Sequence, residues 1–397
     1  MKRVLVAIAA FVVALLAVEV GVRFLDPQPP GVEGPLLRGA FTLPGDHPVR
    51  TKEFDVTVHV NREGFVDREW DARQGGVPRV VVLGDSFVQA AQVPLDAGFG
   101  RVLEARLETL LGREVEVLSL GVPGAGTATA LGLLEERALG LRPDVVVLGF
   151  LVSNDVLNNH PLLETKDDKP FYRLEGGALV PVDRPMALLG PWARGPLWTH
   201  SHAWRAGVRT VLLRRESARR IEAGGGLPLD LRVHDPLGGP LWEEAWTVTE
   251  ALVAELAARC RSQGVTFGVL LFPDAVEATE AGRNAAVARW PALTGWDLGR
   301  ARARALASFE IRAPTLDLEP AFRRAEGGEP LYFPEDGHWT RAGHALAAEA
   351  SAAFVAELIG GDLGRDPANH PQRRGEEDQE QGQADQVPAE LVPDGRR

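Results

Sequence analysis

A short apolar run at Val80–Leu83 limits the folds open to this chain more than any other stretch. Branched side chains without polar alternation are typical of a central strand that is buried on both faces. Two further strand patterns follow at Val115–Leu120 and Val145–Phe150, and helical apolar spacing lies between the three. This alternation predicts an α/β fold of three layers, with helices on both faces of a mainly parallel sheet. The same patterns continue with strands at Val265–Phe272 and Thr315–Leu318, and with helices at Leu241–Gln263, Leu298–Phe309 and Thr340–Leu358.

A serine follows the first of these strands at the point where the helical pattern begins. Gly84 ends the apolar run, and Asp85 and Ser86 come next. Ligands of open α/β sheets bind at the carboxyl ends of the strands. A helix that begins there offers unpaired N–H groups and a positive dipole end. Ser86 is therefore a candidate nucleophile, although this stretch alone is equally compatible with a helix N-cap.

Three more blocks of sequence support the hypothesis that Ser86 is a nucleophile. They are Ser119–Thr129 (S-L-G-V-P-G-A-G-T-A-T), Gly149–Asn159 (G-F-L-V-S-N-D-V-L-N-N) and Tyr332–His344 (Y-F-P-E-D-G-H-W-T-R-A-G-H). A G-D-S block, a glycine loop, an N-D block and a D-G-H-W block, in this order, resemble the SGNH (GDSL-type) hydrolase family. The resemblance covers Asn61 to Ile359, and Asn61–Trp70 is similar to a segment before the serine block in a large bacterial branch. It implies a flavodoxin-like sheet and a serine esterase.

The last block supplies the candidates for acid–base chemistry. An ester hydrolase needs a base to accept the proton of Ser86 and a group that orients this base. His338 is the candidate base, and Asp336 is placed to accept a hydrogen bond from its other ring nitrogen. The resemblance implies the same roles for Ser86 and His338, but most of the family places the acid three residues before the histidine. Glu335 is therefore the alternative acid, and His344 is a rival base. The D-G-H-W spelling resembles the branch that includes bacterial polysaccharide O-acetyltransferases, which favours Asp336.

Three donors are candidates for the oxyanion hole. They are the backbone N–H groups of Ser86 and Gly124 and the side-chain amide of Asn154. Gly124 lacks a Cβ, so a substrate can approach its backbone closely. Asn154 offers a neutral amide that donates without acting as a base. Taken singly, Gly124 also fits a plain turn and Asn154 a helix N-cap, and we expect Asp85 to brace its own turn.

The N-terminus predicts a membrane anchor. Lys2 and Arg3 precede an apolar run over Val4–Val18, and the segment stays largely apolar to Leu25. Just over 20 such residues are enough to cross a bilayer. Basic residues before the span place the N-terminus in the cytoplasm. We therefore expect residues 1–25 to be an uncleaved signal-anchor of the inner (cytoplasmic) membrane with an extracytoplasmic catalytic domain, and a cleaved signal peptide is the less favoured alternative.

The remaining chain divides by composition. A Pro- and Gly-rich stretch assigns residues 26–52 to a linker, and the hydrolase-like domain follows at 53–359. Prolines, tryptophans and a basic helical pattern at Ala203–Glu222 interrupt the regular alternation of strands and helices, so we expect an insertion at about 160–240. Residues 360–397 carry few large apolar side chains, and this composition predicts a disordered tail.

Charge and cysteine content exclude several classes of protein. The net charge of −12 argues against nucleic acid as a partner. A single cysteine, Cys260, excludes an internal disulfide and a cysteine-rich metal site. The histidines show no metal-ligand spacing apart from His200 and His202, which lack an obvious third ligand. Nothing in the sequence requires a cofactor or a metal.

These observations lead to one principal function and two alternatives. The first is serine-dependent hydrolysis of an O-acyl ester, with a small acyl group on an envelope carbohydrate or lipid as the expected substrate. The second is transfer of that acyl group to an extracytoplasmic polysaccharide through the same acyl-enzyme. The third is a non-catalytic glycan-binding or scaffolding protein, against which the retained Ser86, Asn154 and His338 argue.

Overall fold

The computed structural model describes residues 2–25, 43–73, 75–164, 169–182, 200–207 and 227–361. Its strands are β1 (Gly45–Arg50), β2 (Asp55–Val60), β3 (Arg79–Gly84), β4 (Glu116–Gly121), β5 (Val145–Leu151), β6 (Phe171–Glu175), β7 (Ala178–Val182), β8 (Thr266–Phe272) and β9 (Thr315–Asp317). Its α-helices are α1 (Lys2–Leu25), α2 (Ser86–Gln89), α3 (Phe99–Leu111), α4 (Thr127–Leu133), α5 (Val152–Asn158), α6 (Pro240–Ser262), α7 (Ala275–Ala278), α8 (Glu280–Arg289), α9 (Arg300–Phe309), α10 (Glu319–Arg324) and α11 (Arg341–Gly360). The predicted tail, except for its first two residues, and most of the predicted basic helix lie outside the described residues.

Five parallel strands form the central sheet in the order β4-β3-β5-β8-β9. The prediction of an α/β fold with a mainly parallel sheet is confirmed. From β3 the chain first moves outward to β4 and then returns to the other side of β3 with β5. In open α/β sheets, ligands bind at the carboxyl ends of the strands where the order reverses in this way. The fold therefore directs attention to the residues that follow β3, β4 and β5.

Helices cover both faces of the sheet. Val80 and Val82 of β3 belong to one buried cluster, together with side chains of α3 and α11. Val81 and Leu83 point to the other face and belong to a second cluster, with side chains of α4 and α6. Because successive side chains of a strand alternate between faces, both layers need apolar residues, which explains the unbroken apolar run. The predicted three-layer arrangement is confirmed.

A two-stranded ribbon of β1 and β2 precedes the sheet and corrects a boundary. The sequence assigns residues 26–52 to a linker, but Gly45–Arg50 forms a strand that pairs antiparallel with β2. The β1 sequence, G-D-H-P-V-R, is mostly polar and gives no strand signal by itself. Its partner anchors the ribbon, because Val56, Val58 and Val60 pack against Val66 and Ala91.

The Asn61–Trp70 segment ties the ribbon to the sheet. The buried carboxylate of Asp67 accepts hydrogen bonds from the backbone N–H of Ser119 in β4 and from Nε1 of Trp70, both at 2.9 Å. Its other oxygen lies 3.1 Å from Nε of Arg101 in α3. Burial raises the pKa of Asp67, and the Arg101 charge opposes this shift. This segment is therefore a brace between β4 and α3.

Two helices bear on the membrane prediction. In the described part of the chain, α11 is the helix with the length and hydropathy of a membrane span, and 44% of its apolar window is buried. Val355 and Leu358 of α11 lie in the core of the domain, so α11 is a core helix. The N-terminal segment is the 24-residue helix α1. That α1 crosses a membrane stays a prediction.

Candidate active site

The candidate nucleophile opens a short helix at the end of β3. Asp85 caps α2, and its Oδ1 accepts a hydrogen bond from the N–H of Phe87 at 2.9 Å. Ser86 is the first residue of α2, so its own N–H has no acceptor within the helix. The helix lies directly against the end of β4, since a Cβ on Gly121 would come within 2.2 Å of the backbone nitrogen of Gln89. Glycine at this position allows the close approach.

A continuous line of hydrogen bonds joins the serine to a histidine and an aspartate. A bond of 2.7 Å connects Oγ of Ser86 and Nε2 of His338. A second bond, also of 2.7 Å, connects Nδ1 of His338 and Oδ1 of Asp336. The two side chains are 24% and 27% exposed, so solvent reaches the histidine and its partner. The ring of Phe87 lies 5.0 Å from that of His338 and limits its movement.

The two rival candidates lie elsewhere. The carboxylate of Glu335 is 68% exposed and has Nζ of Lys52 at 3.7 Å. His344 is buried in α11, edge-on to the ring of Trp339 at 5.5 Å between centroids. Burial, with a smaller effect of the His338 charge, lowers the pKa of His344 to about 3. The structure thus brings Asp336 to His338 and His338 to Ser86, while Glu335 and His344 make other contacts.

The candidate oxyanion donors follow the two neighbouring strands. Gly124 lies beyond β4 in a left-handed conformation, with φ of +67°. It belongs to a turn in which the N–H of Ala125 donates to the carbonyl of Val122 at 2.9 Å. Asn154 is inside α5 and does not cap it, because Leu151 occupies the N-cap position. The Nδ2 of Asn154 donates to Oδ2 of Asp85 at 2.8 Å. Asp85 therefore braces its own turn, as expected, and also orients Asn154.

Buried charges lie behind these donors. Burial raises the pKa of Asp85, and the N–H groups of Phe87 and Asn154 oppose the shift. Burial also raises the pKa of Asp155 well above its usual range, and the nearby charge of Asp85 adds to this shift. Lys169 is the cation of this group, and its ammonium contacts the carbonyl oxygen of Gly124 and the buried carboxylate of Glu164. Asp85, Asp155 and Lys169 therefore form a buried polar group behind the candidate donors.

Sequence reasoning missed two residues that support the site. Lys169 lies in the predicted insertion, outside every motif, and the sequence gives no signal for its contact with Gly124. Glu53 lies at the edge of the predicted linker, and its carboxylate accepts hydrogen bonds from the backbone of Glu335 and Asp336. Both act on backbone groups, which no side-chain pattern reveals.

The described residues contain no group of three or more His, Cys, Asp or Glu side chains that could hold a metal ion. Cys260 is fully buried in α6. Burial raises the pKa of its thiol to about 12, so it stays protonated.

The chain matches the family described as "GDSL-like Lipase/Acylhydrolase family" over residues 82–346. No curated protein is similar enough in sequence to be matched. Among solved structures, a lipase from a goat rumen metagenome is 13% identical, with 73% of this chain and 99% of that chain covered at a TM-score of 0.41. A lipase/acylhydrolase from Enterococcus faecalis is 14% identical, with 70% and 96% covered at a TM-score of 0.35. An acetyl xylan esterase is 13% identical, with 70% and 99% covered at a TM-score of 0.35.

Proposed function

The chain belongs to the GDSL-like lipase/acylhydrolase family and is a serine esterase, and from this we propose that it removes a small O-acyl group from an envelope carbohydrate or lipid. The observation that carries the proposal is the line of two 2.7 Å hydrogen bonds from Ser86 through His338 to Asp336. An inert scaffold has no need to keep such a line. The non-catalytic alternative is therefore disfavoured.

Acylation begins with the Ser86 hydroxyl. Its proton passes to Nε2 of His338 as Oγ attacks the acyl carbonyl carbon, and a tetrahedral oxyanion forms. Asp336 accepts the Nδ1–H bond and so holds the ring in the tautomer that leaves Nε2 free to accept the proton. The imidazolium then gives that proton to the leaving alcohol oxygen. The carbon–oxygen ester bond breaks, and an acyl-Ser86 ester remains.

The oxyanion is stabilised by donors that are already in position. The N–H of Ser86 has no acceptor within α2 and lies at the positive end of its helix. We assign the second donor to the N–H of Gly124 and the third to the Asn154 amide. One N–H of that amide is given to Asp85, and the second remains for the oxyanion. Donors fixed before the reaction need no reorganisation when charge develops.

Deacylation requires an acceptor with a removable proton. Water attacks the acyl-Ser86 carbonyl as His338 accepts one of its protons, and His338 then gives that proton to Oγ of Ser86 as the carboxylic acid leaves. The 24% exposure of His338 supports access of water to the base. A sugar hydroxyl in place of water would give the O-acyltransferase of the alternative hypothesis. The openness of the acid–base pair favours hydrolysis between the two.

We also propose that α1 anchors the enzyme in the inner membrane, with the catalytic domain outside the cytoplasm. A helix of 24 residues is long enough, at about 1.5 Å a residue, to cross a hydrocarbon core of about 30 Å. The apolar side chains of α1 that the structure describes are unusually exposed. Those more than half exposed are Val6, Phe11, Val13, Leu15, Leu16, Val18, Val20 and Phe24. So many exposed apolar side chains on one helix fit a lipid environment better than water.

The proposal is tested on the full chain in detergent with a fluorophosphonate serine probe and an aryl acetate. We expect labelling to disappear in Ser86→Ala and to slow strongly in His338→Ala. Ser262→Ala, at the exposed end of α6, is the matched control and should label like the wild type. Mass spectrometry of protein treated with the aryl acetate should place one acetyl group on Ser86. A folded wild-type enzyme that is neither labelled nor active would overturn the esterase proposal.

Acyl acceptors are distinguished in the same assay. Acetate release is measured with and without a soluble oligosaccharide, and the sugar is examined for new ester groups. Acetate release without an acceptor supports the hydrolase. Release that requires the sugar, together with an acetylated sugar, would favour the transferase.

A further inference from the structure

We propose that Glu53, on the turn between β1 and β2, is a positioning residue that fixes the loop carrying Asp336 and His338. This inference rests on the proposed function, since it assigns Glu53 a role in serine ester hydrolysis. The Oε1 of Glu53 accepts the N–H of Glu335 at 2.9 Å, and its Oε2 accepts the N–H of Asp336 at 2.7 Å. One carboxylate thus binds two successive amides of the catalytic loop.

The backbone donors of this loop show what Glu53 adds. The loop runs over residues 333–338, and its second residue is proline, which has no N–H. The N–H groups of Phe333 and Gly337 donate within the loop at 2.9 Å, to the carbonyls of His338 and Phe333. The N–H of His338 donates to Asp336 Oδ1 at 3.3 Å. Three of the five amides are therefore satisfied internally, and the remaining two are those that Glu53 binds.

The backbone of Glu53 is held by contacts within its own turn. The hydroxyl of Thr51 accepts the N–H of Glu53 and the N–H of Phe54, both at 3.1 Å, which closes a tight turn. The Phe54 ring then packs against that of Phe333, with 5.2 Å between centroids. The turn is carried by a ribbon whose own valines are buried. The backbone that carries the Glu53 carboxylate is thus fixed by its own turn and by the ribbon.

The position of Asp336 depends on this contact. Its carboxylate reaches His338 at 2.7 Å from a backbone whose N–H is tied to Glu53. Without the tie, the amides of residues 335 and 336 turn to water and the loop tip gains freedom. A catalytic group that moves by about 1 Å can cost about 100-fold in rate. Glu53 therefore acts on catalysis through Asp336, without touching the reacting atoms.

A neighbouring ion pair does not explain the same arrangement. Nζ of Lys52 lies 3.7 Å from the Glu335 carboxylate, and these side chains are 85% and 68% exposed. Pairs this exposed contribute little, because water screens them and both side chains lose freedom when they meet. The two charge-assisted bonds of Glu53 are shorter and directed at backbone donors. The loop is held by Glu53 rather than by Lys52.

The test compares Glu53→Ala and Glu53→Gln with Asp55→Asn in the full chain in detergent. Asp55 is the matched control because its carboxylate lies on the same ribbon, is 59% exposed and pairs with Arg50. We expect Glu53→Ala to lower kcat by about 10- to 100-fold with little change in KM. Glu53→Gln keeps one acceptor oxygen and should fall between Glu53→Ala and the wild type. Asp55→Asn should match the wild type.

A second measurement does not depend on activity. Hydrogen–deuterium exchange in the peptide over residues 331–339 should speed up at two amides in Glu53→Ala and stay unchanged in Asp55→Asn. Unchanged exchange, or unchanged kcat, in both Glu53 variants would overturn the inference while leaving the esterase intact. Failure of the wild type itself to react with the fluorophosphonate would instead overturn the proposed function, and the catalytic role of Glu53 with it. Faster exchange with a parallel fall in kcat supports the inference.

Discussion

Removal of the Asp336 carboxylate should slow the enzyme far more than removal of its neighbour Glu335. Asp336 alone of the two contacts His338, through a 2.7 Å bond of charge-assisted length. Hydrogen bonds to charged groups contribute about 1.5–3 kcal/mol. At about 1.4 kcal/mol for each factor of ten, that range corresponds to a fall in kcat of about 10- to 100-fold for Asp336→Ala. The side chain is 27% exposed, so screening by water favours the lower half of this range.

Asp336→Asn should lower kcat at least as much as Asp336→Ala does. An amide can donate as well as accept, so Asn can turn its N–H₂ group toward Nδ1 and favour the tautomer that carries its proton on Nε2. That tautomer cannot take the proton of Ser86. Glu335→Gln, in contrast, alters an open side chain with Lys52 at 3.7 Å and should change kcat by less than about twofold.

The assay is steady-state hydrolysis of an aryl acetate by the full chain, with kcat and KM determined separately. Thermal unfolding of each variant shows whether the folded state is intact. We expect the order wild type, Glu335→Gln, Asp336→Ala and Asp336→Asn from fastest to slowest. If Glu335→Gln loses more activity than Asp336→Ala, the assignment of the acid from the geometry is refuted.

Two further predictions concern Gly124 and His344. Gly124→Ala should lower kcat by about tenfold with little change in KM, because alanine at φ +67° destabilises this backbone conformation by about 1 kcal/mol and shifts the N–H. Gly112→Ala is the control, since Gly112 has φ of +62° in the distant C-cap of α3. It should lose similar stability and leave kcat unchanged. Burial lowers the pKa of His344 from 6.5 to about 3 in the folded chain. Between these two pH values the imidazole is protonated in the unfolded chain and neutral in the folded chain. Stability contributed by neutral His344 is therefore present above pH 6.5 and is lost as the pH falls toward 3. In urea unfolding, the free energy of unfolding of His344→Leu should rise relative to that of the wild type as the pH falls from about 7 to about 4.5. A difference between the two proteins that does not depend on pH would contradict this.

The sequence was sufficient for those parts of the fold that depend on local pattern. The run Val80–Leu83 predicted β3 because a strand buried on both faces must be apolar at every position. The order of the motif blocks predicted that Ser86 and His338 meet, although 252 residues separate them. In both cases the information lies in residue types that the fold or the chemistry requires. Such requirements can be recognised in the sequence from the residue types themselves.

The parts that escaped prediction depend on backbone groups or on a partner strand. β1 is polar and becomes a strand only because β2 supplies its hydrogen bonds. Glu53 binds two backbone amides about 280 residues away, and any chain segment could have offered those amides. Lys169 likewise meets the carbonyl of Gly124. A carboxylate or an ammonium that binds backbone has no partner side chain to reveal it, so only the folded structure identifies it.

The segment before the first motif connects the two halves of the site. Glu53, at its beginning, binds the amides of the loop that carries Asp336. Asp67, near its end, binds the N–H of Ser119 in β4, the strand that leads to Gly124. The loop of Asp336 and His338 and the strand that leads to Gly124 are thus braced by carboxylates only 14 residues apart in sequence. Because β2, which lies between them in sequence, packs on Ala91, just beyond the helix of Ser86, a shift of this segment would disturb all three parts of the candidate site together. Residues 53–67 are therefore part of the unit that positions the candidate site, although they precede β3.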